Sequence, residues 1–177
     1  MENTITPTAS PTVVGIRYGI LFGFIGIVVD LVLKVTGLSF SYLATFLIST
    51  TVWVVGITLA HKYYKKQNAG FMTYGQGLVI AMVMGVISGL FTGIFNYIYV
   101  NFIDINYVDA MRADMEAWLV SKNVPEEQLE KSLADISMEK LGSPLNIAKT
   151  AFGGILFGLV FALIISAFTK NTRPEFE

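Results

Sequence analysis

Four long apolar runs, parted by two short polar stretches and one long one, organise this chain. They cover about Val13 to Val35, Phe40 to Ala60, Tyr74 to Ile103 and Ile147 to Phe168. Each is long enough to cross a bilayer, which takes ~20 apolar residues as a helix. The third is 30 residues long. At the standard helical rise it measures roughly 45 Å, more than the ~30 Å hydrocarbon core, so one end must tilt or protrude. The first two runs are separated only by Thr36-Gly37-Leu38-Ser39, which predicts an antiparallel pair. Residues 1–12 are polar, Thr-rich and broken by Pro7 and Pro11, and read as a disordered tail. They lack the basic segment of a signal peptide, so the first run is expected to stay as a span. Residues 169–177 read as a second tail.

Small residues recur every fourth position along three of these runs. Gly77, Ala81, Gly85, Gly89 and Gly93 mark the third, Gly15, Gly19 and Gly23 the first, and Thr150, Gly154, Gly158, Ala162 and Ser166 the fourth. Such a row is a groove into which a second helix can press its backbone. Lipid offers no hydrophobic contrast to drive helices together, so packing of this kind matters there. The rows predict close crossings with the third helix central, and they also suit self-association.

Residues 104–146 differ in kind, with nine acids against four bases and a net charge of −5. Val108, Met111, Met115 and Trp118/Leu119 recur at helical spacing, as do Leu129, Leu133 and Ile136. Pro125 suits the start of a second helix and Gly142-Ser143-Pro144 its end. This predicts an acidic helical hairpin outside the bilayer. The expected fold is therefore all-α: a four-helix transmembrane bundle over 13–103 and 147–168, with the hairpin inserted between helices three and four.

Composition narrows the chemistry. The chain is 54% hydrophobic with a net charge of −1, which gives no basic balance for nucleic acid. It has no cysteine and one histidine, His61, so neither a zinc site nor a catalytic triad is expected. No P-loop, GxSxG or HExxH pattern occurs. No cofactor, metal or catalytic residue is assigned, and an enzyme is the least favoured class.

Asp30 is the one acid inside a span, and intramembrane carboxylates mark ion or proton paths by default. Lys34 lies four residues on, near the end of the helix, so an interfacial ion pair is the favoured reading. Asn96, with Tyr97, Tyr99 and Asn101, could line a polar path, although belts and interhelical bonds are commoner uses. Gly70-Phe71-Met72-Thr73-Tyr74-Gly75-Gln76-Gly77 is the favoured functional segment. Thr73 and Gln76 have capping-box spacing, but Phe71, Met72, Tyr74 and Gln76 exceed what a cap requires. The glycines beside Lys65 and Lys66 could admit a phosphate or lipid headgroup.

The stretch Lys65-Lys66-Gln67-Asn68-Ala69-Gly70-Phe71-Met72-Thr73-Tyr74-Gly75-Gln76-Gly77 resembles a bacterial family of small integral membrane proteins known only as a domain of unknown function. Asn96-Tyr97-Ile98-Tyr99, Phe102-Ile103-Asp104 and the acidic insert carry the resemblance further, over nearly the whole chain. It implies four spans and transfers no catalytic residues.

Lys and Arg divide six to six between the two sides of such a bundle, and the cluster Lys62, Lys65 and Lys66 breaks the tie. Both termini are expected in the cytoplasm of a bacterial inner membrane, with the hairpin outside. The leading functional expectation is a non-enzymatic scaffold or accessory subunit. It would associate with itself or with a membrane-protein partner and present its hairpin, with membrane lipid as its surroundings and no nucleic acid. The alternative is a small oligomeric transporter or channel using Asp30 and Asn96.

Overall fold

A computed structural model describes residues 9–173. The tails expected over 1–12 and 169–177 therefore fall in part, at 1–8 and 174–177, outside the described residues. Helix α1 spans Pro11–Val35, and a short 3-10 turn, Leu38–Phe40, leads to α2, Tyr42–Gln67. Helix α3 spans Tyr74–Ile98 and runs on through a π-helical turn, Tyr99–Ile103. The insert holds α4, Tyr107–Ser121, α5, Glu126–Leu133, and the single turn α6, Met138–Leu141; α7 spans Pro144–Thr169. The chain is all-α, and four of its helices are long and apolar enough to cross a membrane.

Several boundaries differ from the sequence reading for local reasons. Pro11 opens α1 rather than ending a tail, because a proline in the first turn has no N–H to lose. The basic stretch His61–Gln67, expected as a connection, forms the last two turns of α2. Lysines there sit well at the negative end of the helix dipole. The second helix of the insert breaks after Leu133. A turn through Asp135 brings Ile136 into the hairpin core, with its N–H bonded to Leu133 O at 3.0 Å. Ser143 precedes Pro144 at the N-terminus of α7, so Pro144 begins that helix as well as ending the insert.

Helix α3 is central, as the small-residue rows require. A Cβ added at Gly15, Gly19 or Gly23 of α1 would meet Val83, Ile87 or Phe91 of α3 at 2.8, 2.7 and 3.0 Å. On the other side of α3, one at Gly89 or Gly93 would meet the α7 backbone at Ala151 Cα, 2.7 Å, or Ile147 Cα, 3.0 Å. One at Gly158 of α7 would meet Ala81 O at 2.9 Å, and Gly77 abuts Ser166. Ala81 and Ala162 are fully buried. All three rows are thus used within one chain, and none is left facing outward to drive self-association.

Helix α2 is held differently. Its buried residues are Gly56, Ile57, Ala60, His61 and Tyr64, all in its second half. There it closes the core with Val14, Ile80 and Met84. None of its first-half residues is fully buried, and a gap lined by Thr45, Ser49, Val52 and Trp53 opens there, with Trp53 reaching across to Phe157 of α7. The insert does not project freely. Val108, Leu119, Leu133 and Ile136 pack with Tyr99 and Val100 of the π turn as a second core. Phe40 stacks on Tyr107 and Tyr42 lies against Trp118, each with centroids 5.7 Å apart. A two-helix hairpin alone buries little apolar surface, and this one completes its core on its own bundle.

Candidate functional site

Asp30 and Lys34 form the expected i, i+4 pair, with Lys34 Nζ donating to Asp30 Oδ2 at 2.6 Å. Its setting is not that of an exposed interfacial pair. The Lys34 side chain is 2% exposed and that of Asp30 27%. Lys34 Nζ also donates to Asn96 Oδ1 of α3. Its ammonium lies over the rings of Tyr99, Phe95 and Tyr107, at 4.7, 5.1 and 5.3 Å from their centroids. Ring faces attract a cation, and more so when water is excluded. Burial also holds the Tyr107 phenol above the ordinary tyrosine value, so it remains a neutral group over the ammonium. Three elements distant in sequence therefore enclose one charge: the end of α1, the end of α3 and the start of the hairpin.

Beside this cluster, between the first half of α2 and the other three spans, lies a cavity of about 400 Å³. Phe22, Trp53, Met84 and Phe157, each about halfway along its helix, bound it at mid-depth. Toward the hairpin end it is lined by Asp30 and by the hydroxyl residues Thr45, Ser49, Thr92 and Thr150. The Thr45 and Thr150 hydroxyls donate to carbonyls of their own chain segment, which leaves their lone pairs as acceptors. Among the described residues, Asp30 is the one charged residue in the lining. Apolar walls with a few convergent polar groups are the usual make-up of a small-molecule site, and the volume falls in the usual range.

The other sequence candidates lie elsewhere. At the opposite end of the bundle Thr73 and Gln76 form the full capping box, with Gln76 N to Thr73 Oγ1 at 3.2 Å and Thr73 N to Gln76 Oε1 at 2.8 Å. Met72 is fully buried, and it exchanges backbone hydrogen bonds with Asn171, both at 2.8 Å. Phe71 lies under the Arg173 guanidinium, 5.3 Å from centroid to carbon. The Tyr74 hydroxyl donates to Leu163 O of α7 at 3.2 Å. Lys65 Nζ donates to Thr169 O at 3.0 Å rather than standing free beside the glycines. These side chains together tie the α2–α3 connection to the end of α7. Asn101 does a similar service at the hairpin end, donating to Tyr97 O and Gly142 O.

Sequence reasoning missed the cavity and the aromatic enclosure of Lys34. The spacing of Asp30 and Lys34 marked the pair, but no periodicity signals that the first half of α2 borders a gap. It also missed His61, which is fully buried between Thr169 Oγ1, 2.8 Å from Nδ1, and Gly77 O, 3.1 Å from Nε2.

Residues 17–171 match the family model described as a protein of unknown function, DUF4199. The chain belongs to the DUF4199 family. The match runs from the first turns of α1 to the strand-like contact of Asn171 with Met72, so both the cavity and the Lys34 enclosure lie within the DUF4199 region. No curated protein and no solved structure matches the chain.

Proposed function

We propose that this chain is a membrane-embedded binding protein or carrier for a small amphiphilic molecule. One observation carries the reading: a cavity among four membrane-type helices has its charged lining residue at one end and aromatic rings at mid-depth. This develops the transporter alternative of the sequence reading, with changed roles. Asp30 lines the cavity, while Asn96 stands behind it and positions Lys34. The protein acts by binding, and no reaction is assigned to it. A bacterial cytoplasmic membrane, with both chain ends inside and the hairpin outside, fits the density of Lys62, Lys65, Lys66, Lys170 and Arg173 at one end of the bundle.

Gly153 supplies the test. It lines the cavity, and a Cβ there would meet no described atom within 4 Å. The backbone has room for a side chain there, so Gly153→Phe should set a ring in the cavity, and size exclusion checks that the bundle still assembles. Native mass spectrometry of the protein released from its own membrane should find a small molecule on the wild type and none on the variant. Identical small-molecule occupancy in both would remove the cavity as the site.

A second reading, the scaffold, has its own support in the hairpin. Glu126, Glu127, Glu130 and Asp135 are exposed on its outer side, a surface that suits a basic partner. The rows of small residues no longer favour a homo-oligomer, since their grooves are filled from within the chain. Crosslinking in the native membrane, with and without charge reversal at those four positions, separates this reading from the first.

A further inference from the structure

We infer that the cavity selects an uncharged amphiphile, with an apolar chain and a hydrogen-bonding hydroxyl or amide head, and rejects cations and anions alike. The inference rests on the reading of the cavity as a binding site and deepens it.

Asp30 by itself would invite a cation, but Lys34 Nζ already holds its Oδ2 at 2.6 Å. Whichever partner carries the shared proton, the pair sums to zero. Lys34 cannot swing away to leave the carboxylate bare. Asn96 Oδ1 accepts from it, three rings face it, and its side chain is 2% exposed. A cationic head entering the cavity would find a carboxylate that is already neutralised, and an anionic head would find no free cation. Either would leave water for a low-dielectric site without a counter-charge, which is strongly unfavourable.

A neutral head meets suitable partners. Asp30 Oδ1 bonds to none of the described residues and can accept from a hydroxyl or amide N–H. Ser49 and Thr92 offer hydroxyls that either donate or accept. The rest of the molecule would lie against Phe22, Trp53, Met84 and Phe157. Specificity here comes from cancelling a charge inside the site, so it should invert when either partner is removed.

The experiment uses full-length protein in nanodiscs. The chain has two tryptophans, and Trp118→Phe leaves Trp53, in the cavity wall, as the only fluorophore of that kind. Three probes share one brominated alkyl chain and differ in the head: an alcohol, a sulfate and a trimethylammonium. Bromine quenches Trp53 on contact, and binding is scored as quenching that an unbrominated copy reverses. The alcohol should bind, with the two charged probes weaker by about tenfold or more. Asp30→Asn should turn the preference toward the sulfate, and Lys34→Met toward the trimethylammonium. Each variant is first checked for folding by size exclusion, and if one fails, the other and the wild-type panel still decide. A charged probe binding the wild type as well as the alcohol does, or folded variants that keep the alcohol preference, would overturn the ligand class while leaving the site. Absence of reversible quenching by all three probes would instead overturn the cavity as a binding site.

Discussion

Gly85 of α3 and Gly154 of α7 face each other so closely that a Cβ built on either would collide with the carbonyl oxygen of the other. The obstacle is backbone on both sides, so no rotamer change can relieve it. Gly85→Leu or Gly154→Leu should cost about 3 kcal/mol or more, at or beyond the upper end of usual overpacking penalties. Gly75, early in α3, has no described atom within 4 Å of its would-be Cβ. Gly75→Ala should be neutral or stabilising by up to about 1 kcal/mol, through the lower entropy of the unfolded chain. Thermal unfolding in detergent compares the three, and equal midpoints for Gly85→Leu and wild type would mean the crossing is not close.

Burial of the Asp30–Lys34 pair changes what its disruption should do. An exposed interfacial pair would tolerate either substitution. Here Asp30→Ala strands an ammonium beneath three rings and should cost roughly 3 kcal/mol. Lys34→Met leaves a partly exposed carboxylate and an apolar chain that fits the enclosure, so it should be the milder change. The double variant should recover most of the loss. A double-mutant cycle with purely additive costs would show that the two side chains do not interact.

Docking of the hairpin shields Lys34 from water. Replacing residues 107–141 with a short Gly/Ser linker should leave the four spans inserted and remove Tyr107 from above the ammonium. A water-soluble amine reagent should then modify Lys34 in the deleted form and spare it in the intact protein. Mass spectrometry of the labelled peptide reads the difference. Equal labelling in both would place the hairpin away from the bundle.

Topology can be tested on a clean background because the chain has no cysteine. Lys66→Cys and Lys170→Cys should react from one side of the membrane, since Lys65 and Thr169 are bonded to each other at that end. Asn123→Cys should react from the opposite side. The proposed orientation puts the first two in the cytoplasm, and labelling of all three from the same face would contradict the four-span arrangement.

Asp135 offers a local pH test. A hydrogen bond from Lys140, 2.7 Å away, and that lysine's charge hold its carboxyl below the usual carboxylate value. A folded-state value below the unfolded one adds stability above the ordinary carboxylate range, and that stability is lost as pH falls through the folded-state value. The side chains are well exposed, so the effect on overall stability should be small. Lys140→Ala should move the Asp135 midpoint, followed by NMR, upward toward the ordinary value. An unchanged midpoint would mean that the pair does not persist in solution.

Much of this architecture is written in the residue pattern. Spans of sufficient length follow from uninterrupted apolar runs, because a backbone in lipid must satisfy its own hydrogen bonds and a helix does so locally. The central place of α3 follows from two rows on a four-residue repeat: its own glycines admit α7, and those of α1 seat Val83, Ile87 and Phe91 of α3. The start of α3 was legible in Thr73 and Gln76, since a capping box is closed by residues three apart. Properties of this kind depend on neighbours along one helix.

Tertiary structure decided the rest. Three small-residue rows could equally have served contacts between copies, and only the assembled bundle assigns them to α1, α3 and α7 of one chain. Asp30 and Lys34 are adjacent by helical geometry, yet their burial is imposed by Asn96, Tyr99 and Tyr107, which arrive from other elements. Phe71, Met72 and Tyr74 exceed what a cap needs because they anchor the far end of α7 and the residues just after it, contacts made about 90 to 100 residues away along the chain. The cavity depends on where α2 stops burying its side chains among its neighbours. Its first half is more apolar than its second, which carries His61 and three lysines. Hydrophobic pattern therefore could not mark the second as the half that buries its side chains and the first as the half that borders a gap. Shape complementarity among four helices made that distinction, and it is a property of their assembly.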